Sequence, residues 1–246
     1  MYNPFSLEGK TILVTGASSG IGQGVAIDLS KMGAKVVITA RNKDRLNRTF
    51  ESMEGGGHEQ IIADLCDIGE VEHLIDQIPV LDGTVFCAGI VKTLPVRNIK
   101  DDVITEVFDA NIISDIRLSS RLLKKKKLSI GASVVMISSV STFNVKVGNS
   151  LYSASKGAMN SFAKAMALEV SNQKIRVNCV QPGFVPTNIL ENHGMSEDAL
   201  QWYAERHPLG FGTPTDIANV CIYLLSNASR WVTGSVFTID GGYTLQ

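Results

Sequence analysis

Seven short runs along this chain are almost unbroken in apolar residues: TILVTG (11–16), KVVITA (35–40), EQIIADL (59–65), GTVFCAG (83–89), ASVVMISS (132–139), IRVNCVQPG (175–183) and VFTIDGG (236–242). Helical periodicity fills most of the gaps between them. A strand with one wet face alternates apolar and polar residues, whereas runs this continuous suit strands covered on both faces, as in a parallel sheet between layers of helices. The strand-helix alternation therefore predicts an α/β fold, a doubly wound, seven-stranded parallel sheet flanked by helices. At 246 residues the chain has room for one or two domains. No internal repeat or linker rich in Pro or Ser divides it, so a single domain over 1–246 is the simpler reading. The GGG at 55–57 reads as a turn before the third strand rather than a boundary.

Charge excludes some functions. Lys and Arg number 23 against 24 Asp and Glu, so no global excess points to nucleic acid or to a membrane surface, and a small-molecule partner is expected. Charged or Gly-rich breaks interrupt every apolar run well short of a membrane span. The N-terminal MYNPFSLEGK lacks the basic and apolar regions of a signal peptide. Cys66, Cys87, Cys179 and Cys221 show no CxxC spacing and read as reduced thiols, consistent with a cytoplasmic protein. The four histidines, His58, His73, His193 and His207, have no metal-ligand spacing and are expected on the surface or in a lid.

The first strand runs directly into TGASSGIGQGVAIDLSKMG, where Gly16, Gly20 and Gly22 precede a helical pattern of Val25, Ala26, Leu29 and Met32. Glycines allow a tight turn and let backbone amides approach a pyrophosphate, whose charge the helix N-terminus favours. The spacing is GxxxGxG rather than GxGxxG. Any tight strand-to-helix connection can use such glycines, but strand before and helix after favour a phosphate site and a Rossmann-type fold.

TGASSGIG resembles the cofactor turn of the short-chain dehydrogenase/reductase family, which uses nicotinamide dinucleotides. The resemblance continues from about residue 8 to the C-terminus. It implies cofactor contacts from Gly16, Ser18, Ser19, Gly20, Ile21 and Gly22. Asp64 and Leu65 in IIADL are similar to the family's segment at the adenine ring, and Pro182, Gly183, Val185 and Thr187 in PGFVPT to its segment near the nicotinamide. One departure is VFCAGI, where the family usually has Asn-Asn-Ala-Gly. Backbone contacts from Cys87, Ala88 and Gly89 survive this change, but the asparagine side chains are replaced by Phe86 and Cys87.

In LYSASKGAMNSFAKAMALEV, Tyr152 and Lys156 are four residues apart and share a helix face. YxxxK alone is weak, since a packing tyrosine beside a solvated lysine has the same spacing. Thirteen residues before Tyr152, Ser139 closes VVMISS, and Asn111 lies on a preceding helix. These positions resemble the family's Asn-Ser-Tyr-Lys tetrad. A ketone accepting hydride develops negative charge on oxygen and then needs a proton. A neighbouring ammonium lowers a tyrosine's pKa, which makes Lys156 the expected tuning charge. The resemblance further implies that Lys156 binds the nicotinamide ribose, that Ser139 holds the substrate oxygen and that Asn111 supports a water in a proton relay. Ser138 is chemically identical to Ser139, but successive strand side chains face opposite ways, and the family spacing selects Ser139.

The second run ends at Ala40, where an acid would grip the ribose hydroxyls, and Arg41 follows. A guanidinium there can take a 2′-phosphate, so NADP(H) is expected over NAD(H), with Arg45 reinforcing the field and Asn42 either capping the next helix or touching the phosphate.

PTNILENHGMSEDALQWYAERHPLGFGTP, inside 185–213 for the most part, is too long for an ordinary connection and reads as a substrate lid, the alternative being a packed surface excursion. His193 and Trp202 are candidates to line a substrate pocket, with packing the simpler use of the tryptophan. RLLKKKKL (121–128) fits a solvated helix C-terminus, or else, with Lys174 and Arg176, a docking patch for an acidic carrier of the kind 3-oxoacyl-carrier-protein reductases use. An apolar face on Ile217, Val220, Ile222 and Leu225 fits either burial or a subunit contact. Phe211 stands where many reductases carry arginine. The resemblance thus implies an NADP(H)-dependent oxidoreductase acting on a carbonyl or secondary alcohol, with a 3-oxoacyl thioester, free or carrier-bound, as one substrate and a sugar, polyol or steroid as the alternatives. It also implies a homo-oligomer, tetramer or dimer. A dinucleotide-sensing protein without chemistry is the rival of another class, and the intact tetrad argues against it.

Overall fold

Strand β1 (Thr11–Thr15) shows why the runs are continuous. Its Ile12 and Val14 enter one hydrophobic cluster and Leu13 the opposite one, and all three are fully buried. The computed structural model, which describes residues 3–187 and 197–245, repeats this division in β2 (Lys35–Ala40), with Val36 and Ile38 on one face and Val37 on the other. It recurs in β5 (Leu128–Ile137), where Val134 and Met136 oppose Val135 and Ile137. Successive side chains point to opposite faces, so a sheet with two cores needs apolar residues at every position.

With β3 (Glu59–Ile62), β4 (Leu81–Phe86), β6 (Arg176–Pro182) and β7 (Val236–Ile239), these strands form one parallel sheet of order β3-β2-β1-β4-β5-β6-β7. Helices α1 (Gly20–Lys31) and α2 (Lys43–Glu51) pack on one face, and α3 (Ile68–Gln77) on the other. The predicted doubly wound, seven-stranded sheet is therefore the observed one. Order reverses between β1 and β4, and the carboxyl ends of these strands open into a crevice there. β5 begins four residues before its expected start, at Leu128, after a turn through Lys126 in the left-handed region.

On the β4–β5 side the chain runs through α4 (Asp101–Phe108), a π-helical turn over Asp109–Ile113, α5 (Ser114–Lys124) and the long α6 (Ser150–Glu169). Farther on are α7 (Glu197–Glu205) and α8 (Pro214–Leu225). A reciprocal box between Thr213 and Asp216 starts α8, with Pro214 at its first turn. Ile217, Ile222 and Leu225 are buried in the same cluster as Val25 and Leu29 of α1, with Val220 packed against it, so this apolar face belongs to the core of the monomer.

The basic run at 121–128 closes α5. Arg121 pairs with Glu72 at 3.1 Å and Lys125 with Asp76 at 3.6 Å, both on α3, while Lys127 donates to the Ile78 carbonyl at 2.6 Å. Those contacts fit a helix C-terminus tied to its neighbour. None of the described helices is long and apolar enough to cross a membrane.

Candidate active site

The glycine turn leaves β1 through Gly16 and Gly20, at φ of 64° and 59°, a region where a side chain is strained. A Cβ on Gly16 would stand 2.7 Å from the Ala88 backbone nitrogen, so the β1 and β4 ends close up only because it is absent. Thr15, read only as a strand residue, locks this closure, for its hydroxyl accepts from the Cys87 amide at 3.1 Å and the Ala88 amide at 3.3 Å. The first turn of α1 holds no acid, and Ser19 makes no side-chain cap. By contrast, Asn42, Asp67 and Thr213 cap α2, α3 and α8. The α1 amides thus keep their positive end for an anion, which fits a pyrophosphate.

A cavity of about 700 Å³ begins at this turn and follows the strand ends across the sheet. Every catalytic and cofactor-contact residue expected from the sequence lines it except Asn111, whereas Trp202, a candidate for the substrate pocket, does not. Gly16, Ser18, Ser19, Gly20, Ile21 and Gly22 form one wall, with Arg41, Asn42, Asp64 and Leu65 at the β2–β3 end. Cys87, Ala88 and Gly89 lie at the middle, and Ser139, Tyr152, Lys156, Pro182, Gly183, Val185 and Thr187 at the β5–β6 end. Phe86, which replaces an expected asparagine, is fully buried in the core and takes no part in the lining.

Helix α6 presents Tyr152 and Lys156 one turn apart, as their spacing requires. Lys156 is almost fully buried and donates to the Ile137 carbonyl at 2.7 Å. Gly89 makes room for Asn111, since a Cβ there would stand 2.9 Å from its Oδ1. Burial pulls the Lys156 pKa down, and the Asp115 carboxylate opposes this. Burial raises the Tyr152 pKa, and a hydrogen bond with Ser139 draws it back. Lys156 keeps its ammonium one helical turn from Tyr152, anchored by the Ile137 carbonyl. Ser138 turns away and donates to the Lys156 carbonyl at 3.3 Å.

Asn111 sits behind the wall on the π-helical turn, with no solvent exposure. Its Oδ1 accepts from the Ile90 amide at 2.7 Å, and its Nδ2 donates to the Ile90 carbonyl at 2.9 Å and to Ser155 Oγ at 3.0 Å. Both amide protons are thus spent within the protein. Asn111 joins the loop after β4 to α6, and Ser155, beside Lys156 in YSASK, is its partner. One full turn past Asn111, Asp115 is fully buried, and neither carboxylate oxygen has a hydrogen-bond partner among the described residues. Burial pushes its pKa up to about 7 against the pull of Lys156.

At the β2 end, Arg41 Nη1 stands 3.7 Å from Asp64 Oδ2, both on the cavity wall. The pair is loose and solvent-exposed, so it holds the guanidinium weakly. Asp64 Oδ1 is engaged by the Cys66 amide at 2.9 Å. Asn42 spends its side chain on capping α2, accepting from the Arg45 amide at 2.9 Å.

Of the lid expected over 185–213, the described part is α7 and the loop after it; His193 lies outside the described residues. Of the surface or lid places expected for the histidines, His207 takes one in the lid segment, and there it is buried. It stacks on Tyr243 at 4.5 Å, and its Nδ1–H donates to the Tyr203 carbonyl at 2.7 Å. Phe211 packs against Phe184 at 5.0 Å between ring centres. His58 bridges Val36 and Glu54 backbone groups, and no described group of His, Cys, Asp and Glu is arranged to hold a metal ion. All four cysteines are free.

A doubly wound sheet whose crevice joins an uncapped glycine turn to a serine, a tyrosine and a buried lysine defines an oxidoreductase of the kind that binds a nicotinamide dinucleotide. A family model described as enoyl-(acyl carrier protein) reductase matches residues 16–244. The chain is 35% identical to an uncharacterized oxidoreductase of Methylorubrum extorquens, over 96% of this chain and 98% of the other. It is 32% identical to a 3-oxoacyl-[acyl-carrier-protein] reductase of Rickettsia felis, over 96% and 97%. A solved structure of a putative 2-deoxy-D-gluconate 3-dehydrogenase from Agrobacterium tumefaciens with bound NADP superposes with a TM-score of 0.88 at 30% identity, covering 100% of both chains. The protein belongs to the short-chain dehydrogenase/reductase family.

Proposed function

We propose that this chain is an NADP(H)-dependent reductase that interconverts a carbonyl and a secondary alcohol. The observation that carries the cofactor preference is the β2 end of the cavity, where Ala40 stands in the place of an acid and Arg41 and Arg45 line the wall. A guanidinium engaged by only one loose, exposed pair exchanges it readily for a 2′-phosphate. The NADP bound to the Agrobacterium structure supports the same choice.

For the chemistry, Ser139 and Tyr152 hydrogen-bond the carbonyl oxygen at the β5–β6 end. A dihydronicotinamide bound in the cavity would supply the hydride. As charge grows on that oxygen, the Tyr152 phenol gives up its proton to it, and the phenol's raised pKa keeps this proton in place at neutral pH until then. Lys156, held by Ile137, would hold the nicotinamide ribose and supply positive charge beside Tyr152. The resemblance to 3-oxoacyl-carrier-protein reductases makes a 3-oxoacyl thioester the first substrate to try, and the gluconate dehydrogenase likeness makes a sugar acid the second.

The test is oxidation of NADPH and NADH over a panel of 3-oxoacyl thioesters, sugars, sugar acids and cyclic ketones. Arg41→Ala is expected to weaken NADPH by roughly 10-fold or more, the size of a lost charged hydrogen bond, while sparing NADH. Equal losses with both cofactors would remove the 2′-phosphate role, and no turnover with any class would favour a sensor.

A further inference from the structure

Lys146 takes no part in the chemistry above, yet it lines the same cavity as Tyr152. It lies on the loop of residues 140–149 that joins Ser139 to α6. That loop is tied down at its far end, where Leu94 donates to the Gly148 carbonyl at 2.8 Å. Its ammonium donates to the Tyr203 hydroxyl and stands 3.7 Å from the centre of that ring, 5.1 Å from Tyr243 and 5.6 Å from Trp202. The box is itself braced: Tyr203 stacks on Phe184 at 4.5 Å, and Tyr243 on His207 at 4.5 Å.

Aromatic faces hold a cation in place, but they carry no net charge to cancel it. Lys146 has no ion-pair partner among the described residues. Among the described residues the one acidic side chain lining the cavity, Asp64, faces Arg41 at the opposite end of the sheet. Burial draws the Lys146 pKa down to about 8, the behaviour of an ammonium desolvated without an anion. A half-buried, preorganised cation at the substrate end is a binding site for an anion.

We propose that Lys146, held by Tyr203, Tyr243 and Trp202, anchors a carboxylate on the substrate, so that the preferred carbonyl substrates are keto acids and the preferred alcohols hydroxy acids. The inference rests on the reductase reading and narrows it. A carboxylate fits better than a phosphate, because among the described residues the one other cation lining this end, Lys156, is engaged by the Ile137 carbonyl, while a phosphate usually draws two or more free cations. Arg206 stacks on Trp202 at 3.9 Å but does not line the cavity.

The experiment compares kcat/KM for a series of keto acids, each against its methyl ester, with a ketose phosphate and a 3-oxoacyl thioester as further arms. At least one acid is expected to exceed its ester by about 10-fold, mainly through KM, as for one charge-assisted hydrogen bond. Lys146→Met should erase most of that ratio, and Lys146→Arg should restore it. An ester as good as its acid, a ratio unchanged in Lys146→Met, or a preference for the phosphate or the thioester would each overturn the assignment. Should no carbonyl be reduced with either cofactor, the reductase reading falls, and the anchor is then judged by binding alone. With Trp231, which is 92% exposed, changed to Phe, Trp202 is the remaining tryptophan. A saturable change in its emission on adding gluconate, lost in Lys146→Met, supports the anchor, and a flat titration overturns it.

Discussion

Tyr152 and Asp115 show how one environment acts on two acids. The Tyr152 phenol is kept protonated by burial and moderated by Ser139, which suits a proton donor. Tyr152→Phe removes that proton and leaves the cavity shape almost intact. Turnover should fall below about a tenth of normal, and far lower if the phenol is the general acid, while NADPH binding followed by its fluorescence stays within about twofold. Asp115 is a cost the fold carries. Its carboxyl has a folded pKa of about 7, against about 3.9 in an unfolded chain. The folded state therefore holds the proton more tightly, and stability falls as pH rises from about 4 to about 7, by at most about 4 kcal/mol. Asp115→Asn cannot ionise. Urea unfolding should show the variant more stable than wild type by about 1–3 kcal/mol at pH 8, with the gap shrinking as pH falls and closing only near about pH 3.5, below the unfolded pKa. Equal stabilities at pH 8 would mean that Asp115 finds a partner in solution.

Among the elements, the π-helical turn at Asp109–Ile113 decides where Asn111 points. Such turns insert one residue into a helix and often mark functional sites. Periodicity reads VFDANIISDIRLSSRLL as one helix and so places Asn111 on it, but a one-residue insertion leaves no mark in a pattern of apolar positions. The bridge from Asn111 to Ile90 and Ser155 was accordingly invisible. Asn111→Ala would leave two part-buried backbone groups of Ile90 without a partner and take one of two from the Ser155 hydroxyl, which keeps its bond to the Tyr152 carbonyl. It should cost about 2–4 kcal/mol in urea unfolding and lower kcat more than it raises KM, since the loop after β4 and α6 lose their tie. A variant with unchanged stability would show that the bridge is dispensable. By contrast, Tyr152 and Lys156 were legible from spacing alone, because a regular helix fixes residues four apart on one face.

At the scale of the whole molecule, the seven apolar runs were sufficient to foretell a seven-stranded parallel sheet, since burial on both faces leaves continuous apolar strands as its direct trace. The glycine turn and Arg41 were legible for a similar reason, as both are local to a strand end. Other features depend on segments far apart in sequence. Lys146 meets Tyr203 and Tyr243 only because the loop after β5, α7 and the C-terminal segment converge over one end of the sheet. His207 looks like a surface residue in HPLG and becomes buried only when Tyr243 stacks on it. The apolar face of α8 fits a subunit contact equally well until α1 covers it. What the sequence determined by itself, then, was the sheet, the glycine turn and the spacing of the Tyr-Lys pair, because each is written in neighbours along the chain. Only the tertiary structure decided which polar groups find partners and which, like Asp115 and Lys146, are left with charge to spare, because desolvation and pairing are set by residues that only folding brings together.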